Sequence, residues 1–106
     1  MPVIGTFTPA KDGYTGSITT LALNAKVSIL VNEGKQGNAP DFLITAGAIE
    51  VGAAWRRTNH SGALQYLRVK LDDPLLPEPI WAALLEPGKD GVARLVWVRD
   101  REDDGA

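Results

Sequence analysis

The chain contains no cysteine, so neither disulfides nor thiolate-bound metal can hold it, and nothing in it asks for an oxidising compartment. It has one histidine, His60, set in a polar Thr-Asn-His-Ser-Gly turn, and no Gly-x-Ser-x-Gly elbow. A Ser-His-Asp relay would have to be built on that lone imidazole, and a zinc site would lack its usual ligands. No Gly-x-x-x-x-Gly-Lys-Ser/Thr loop is present, which removes the phosphate cradle of many nucleotide hydrolases. These absences point away from an enzyme and imply neither metal nor cofactor. No apolar run approaches the roughly 20 residues that span a bilayer, and no basic-then-apolar leader opens the sequence. The expectation is a soluble, cytoplasmic protein with no membrane partner, in which the formal sequon Asn59-His60-Ser61 is a polar turn.

An excess of one charge sign is also missing. The closing Arg-Asp-Arg-Glu-Asp-Asp-Gly-Ala carries two positive and four negative charges, which leaves nine of each sign over residues 1–98. Without a global basic excess, strong nonspecific binding to duplex DNA is disfavoured, because that depends on many phosphate contacts. At 106 residues there is room for one core. Residues 1–99 are expected to form a single domain, and residues 100–106 a disordered acidic tail with too little apolar area to offset the entropy of ordering.

What the chain does have is period-two alternation, broken at short intervals by Gly, Pro, Asn and Asp. Val3–Thr8, Tyr14–Leu23 and Ala25–Val31 read as strands, the first two joined as a hairpin through Asp12-Gly13. Asp41–Trp55 is too long for one flat strand, and Gly47 and Gly52 suggest a bend, a bulge or a turn between two strands. Leu64–Leu71 alternates most cleanly, with Leu67, Val69 and Leu71 toward the core and Tyr66, Arg68 and Lys70 toward water. Asp72–Pro79 contains three prolines within six residues, which makes it an extended connector. Ile80–Glu86 could start a short helix at Pro79, but a strand suits its length better; Val92–Val98 closes the pattern. The fold class is all-β: a small antiparallel barrel or two-sheet sandwich of about seven strands, with at most one short helix.

One constellation carries chemistry. Trp55, Arg56 and Arg57, with Tyr66, Arg68 and Lys70, combine rings and cations in the way a single-stranded nucleic-acid surface does, where bases stack and phosphates meet Arg and Lys. The competing reading is structural. Trp55 shares parity with Ile49, Val51 and Ala53, so an unbroken strand turns it into the core and sends Arg56 outward. Core packing is likewise the ordinary role for Trp81 and Trp97, and Arg56, Arg68 and Lys70 are equally able to pair with Glu50 or Glu86 across strands. A second set lies in the connector. Asp72 and Asp73 diverge on an extended chain and make a poor carboxylate dyad or cation site, while one of Leu75 and Leu76 is expected to dip into the core and the other to face outward.

The ordered motifs IGTF, GYTGSITTLAL, NAPDF, GAAWRRT and YLRVKLDDPLLPEPIWA, spanning Ile4 to Ala82, resemble the bacterial family numbered seven hundred and thirty-six among domains of unknown function. Trp81 stands where the family pattern suggests tyrosine. The resemblance implies a small accessory protein of plasmids and integrated mobile elements, with no assigned reaction or catalytic residues. Its motif positions, Asp41, Trp55, Arg56, Arg57, Lys70, Asp72, Asp73 and Pro74, could mark a site or a fold. Two functions follow as expectations. One is a non-enzymatic module that binds a conjugation, replication or host-defence protein, as an inhibitor in one variant, through a sheet face or an edge strand. The other is a single-stranded nucleic-acid binder using the basic and aromatic face.

Overall fold

In the computed structural model, residues 2–21, 24–34, 36–59, 61–62, 65–74 and 76–98 are described. Lys11 and Asp12 form a two-residue turn between β1 (Val3–Ala10) and β2 (Gly13–Thr19). There follow β3 (Asn24–Val31), β4 (Phe42–Ala46), β5 (Ile49–Thr58), β6 (Gln65–Leu71), β7 (Ile80–Leu85) and β8 (Ala93–Trp97). Each strand is antiparallel to the one before it, and β8 pairs with β1 to close an eight-stranded up-and-down barrel. The all-β expectation holds. The additional strand comes from the segment 41–55, which divides at Gly47-Ala48; Gly47 has φ +66°, a conformation open to glycine and strained for other residues. The Ile80 segment is a strand, and no helix occurs among the described residues, so none is long and apolar enough to cross a membrane.

The barrel is filled by alternate side chains. Phe7, Ile18, Ile29, Ile44, Val69, Leu84 and Leu95 are each at most 2% exposed, and their partners on neighbouring strands bring them together in one interior cluster. Leu67, Val69 and Leu71 belong to it as expected. Burial of this kind contributes about 1.5–3 kcal/mol per large apolar side chain, which is how a chain without disulfides holds itself closed. No polar or charged residue is buried among the described residues.

The two ends of the barrel differ. One end, called the upper mouth, carries the turns after β1, β3, β5 and β7, and the lower mouth carries those after β2, β4 and β6. At the lower mouth Ile18, Val27, Val51, Leu71 and Leu76 line an apolar cleft of about 200 Å³. Among its described residues the proline-rich connector between β6 and β7 contains no strand, and it lies beside this cleft with Leu76 packed against the core. Leu76 therefore supplies the inward leucine; Leu75 lies outside the described residues, as do His60 and the segment 99–106.

Candidate nucleic-acid interface

The position of Trp55 is decided by a register shift. Ile44 pairs with Gly52, but the next pair is Thr45 with Glu50, so Val51 is an extra residue on β5. A bulge of this kind inverts which face the following residues occupy. Gly52 and Ala54 now point inward, opposite the buried Leu71 and Val69, and a Cβ on Gly52 would collide with the carbonyl oxygen of Lys70. Trp55 therefore faces outward. The expectation that an unbroken strand sends Trp55 into the core is corrected by this bulge. Core packing is corrected for Trp81 and Trp97 as well, independently of the bulge: Trp81 faces outward opposite Lys70 and Trp97 is the last residue of β8, and all three indoles are half-buried with none in the interior cluster.

Register across β5, β6 and β7 then builds a continuous outer surface. Arg57 lies opposite Tyr66, and Tyr66 opposite Leu85; Trp55 opposite Arg68, and Arg68 opposite Ala83; Ala53 opposite Lys70, and Lys70 opposite Trp81. These nine outward positions hold three cations, three rings and no carboxylate. The Arg68 guanidinium lies 4.4 Å from the centroid of the Trp81 ring and the Lys70 ammonium 5.5 Å, both within cation–π range. The Trp55 indole donates to the Asn38 carbonyl at 3.4 Å, a long hydrogen bond that ties the ring to the loop before β4. Trp81 was outside the set singled out from sequence, and the β6–β7 register is what brings it in.

Arg56 has a different place. Two residues after Ala54 and of the same parity, it stands at the upper mouth where β5 leaves the barrel wall. Its backbone N–H donates to Asp41 Oδ2 at 2.8 Å, its guanidinium lies 3.6 Å from Asp41 Oδ1, and it covers the Phe42 ring at 4.9 Å. The carboxylate beside it is thus Asp41, from the NAPDF motif, rather than Glu50 or Glu86. Tyr14, Phe42, Gln65 and Glu86 complete this mouth with Arg56, Arg57 and Tyr66, around a cavity of about 300 Å³. Those four residues were not legible as a group, because they come from four strand ends that only barrel closure brings together.

Asp72 and Asp73 are not gathered with other ligands. The Asp72 N–H donates to the Val51 carbonyl at 2.8 Å, and the Asp73 carbonyl accepts from Leu76 N–H at 2.8 Å, so both serve the turn out of β6. Among the described residues no three His, Cys, Asp or Glu side chains are grouped to hold a metal ion.

The family model described as "Protein of unknown function (DUF736)" matches residues 3–100 of the chain. No curated protein and no solved structure matches it.

Proposed function

We propose that this chain, which belongs to the DUF736 family, binds single-stranded nucleic acid on the outer face of β5, β6 and β7. The observation that carries the reading is the outward placement of Trp55 and Trp81 around Arg68 and Lys70, within nine paired positions that hold no carboxylate. Over the whole chain the charges nearly balance, so three cations on one patch are a local concentration rather than a share of a general excess. Trp55 offers a ring for a base. Arg68, lying over Trp81, adds a planar cation on which a second base can stack while its edge meets phosphate.

Each stacked base contributes about 1–3 kcal/mol, and three neutralised phosphates give a log–log salt slope of about −2 for a single strand. The role is one of binding rather than catalysis. It suits an accessory protein of a mobile element, in whose replication and transfer single strands arise. Closure of the barrel bears on the alternative: every described strand has two neighbours, so addition of a partner's strand at an open sheet edge loses its template.

Fluorescence anisotropy with a labelled 12-nucleotide oligothymidylate at low salt tests the reading. Binding is expected, with quenching of tryptophan emission, a salt slope near −2, and at least a tenfold loss in the Trp55→Ala/Arg68→Ala double variant. No binding at low salt, or equal binding by that variant with an unchanged melt, overturns it.

A further inference from the structure

The outer face runs into the upper mouth without a break. Arg57 and Tyr66 form its last row and are also two of the walls of the 300 Å³ cavity. That cavity is blind: its floor is made of Phe42, Leu67 and Leu84, all buried in the barrel interior. A strand following the row from Trp81 to Trp55 to Tyr66 can enter here but cannot pass through.

We propose that the upper mouth receives the terminal nucleotide of a single strand, so that the protein recognises strand ends; this rests on the reading of the outer face as the single-strand path. Size and chemistry support it. A volume of about 300 Å³ is at the small end of ligand pockets, enough for one base with its sugar and too little for two stacked nucleotides. With the Phe42 ring already covered by the Arg56 guanidinium, Leu67 and Leu84 are the apolar part of the floor that meets a base. Gln65, which both donates and accepts, and Glu86, which accepts from an exocyclic amino group, stand at the rim to meet its edge. Phosphate is turned away from Glu86 by charge and toward Arg56 and Arg57. Arg56 is set in place in advance by Asp41 and Phe42, yet its side chain remains 66% exposed and accessible to a ligand. An internal nucleotide would have to flip out of the strand to reach the floor, whereas an end continues on one side only.

Competition separates the possibilities. A fluorescent linear 12-mer bound to the full chain at low salt is displaced by an unlabelled 30-nucleotide single strand, either linear or covalently circularised, of the same sequence. The linear form is expected to compete at least tenfold better than the circle. Two further linear strands, each with one terminus capped by a bulky group, identify the end that enters: one of them should fall to the level of the circle. Arg56→Ala and, separately, Gln65→Leu should erase the difference between linear and circular forms while leaving affinity for the circle unchanged. Equal competition by both forms, or no effect from capping either end, overturns end recognition and leaves the outer face standing. Failure of every strand to bind overturns the outer-face reading itself.

Discussion

Asp41 ties three segments together beside the site. Its carboxylate accepts the Arg56 N–H at 2.8 Å, its own N–H donates to the Ala54 carbonyl at 2.9 Å, and its carbonyl accepts from Asn32 at 3.0 Å. The ion pair with the largely exposed Arg56 contributes little, since water screens such a pair. The charge-assisted hydrogen bond to the backbone is the larger part, about 1.5–3 kcal/mol. Asp41→Ala should therefore lower the melting midpoint by several degrees, at roughly 4–8 °C per kcal/mol for a domain of this size, while Arg56→Ala should move it far less. Equal shifts in the two variants would reverse that ranking. In the interior, Val69 is 1% exposed, and Val69→Asp should abolish the cooperative melt because a carboxylate there has no partner. Asp90 makes a different case, at the surface. Its carboxylate accepts from Arg94 Nη2 at 2.8 Å and from the Val92 N–H, and these contacts hold its pKa below the usual value. The folded state is favoured by this carboxylate above its ordinary pKa, and the contribution disappears as pH falls through the lowered one. A carbon-detected NMR titration should show the depressed pKa, returning toward normal in Arg94→Ala.

At the scale of elements, β5 shows what alternation can and cannot reveal. Period two located the strands because each has one face in the core, and it identified Leu67, Val69 and Leu71 as the buried set of β6. For Ile80–Glu86 it was length rather than alternation that favoured a strand, and β7 forms there because the pairing that β6 and β8 provide on either side outweighs local helix propensity. Both glycines in the long segment before Trp55 proved meaningful: Gly47 makes a turn and Gly52 adjoins a bulge. What alternation could not supply was the phase after the bulge, because one extra residue leaves composition unchanged and exchanges the two faces. The basic and aromatic residues were therefore visible as a set, but their split between an outer face and a mouth was not. Deleting Val51 tests this account. Without the extra residue, Glu50 and Gly52 become neighbours opposite Thr45 and Ile44, the ladder runs regularly, and Trp55 keeps its outward face and Ala54 its inward one. The shortened chain should therefore fold cooperatively with unchanged tryptophan emission; loss of the cooperative melt would show that the bulge does not set the phase.

For the molecule as a whole, alternation fits a sandwich and a barrel equally, and the choice rests on β1 meeting β8. That contact joins Val3 to Val96 and Phe7 to Ala93, residues so distant in sequence that no local signal reports their pairing. Closing such a sheet requires the loop entropy of nearly the whole chain to be lost before the seam returns any energy. Stopped-flow refolding should accordingly proceed in milliseconds to seconds, and microsecond folding would mean that the seam forms outside the rate-limiting step. The seam has a mechanical consequence as well. β1 begins where β8 ends, with the Trp97 N–H donating to the Pro2 carbonyl at 2.9 Å. A pull on the chain at both sides of the barrel therefore loads the hydrogen bonds between these strands one after another, as a zipper, rather than all together in shear. Tension applied through the flanking chain should open the barrel at this line under low force, peeling β1 from β8 before any hairpin yields.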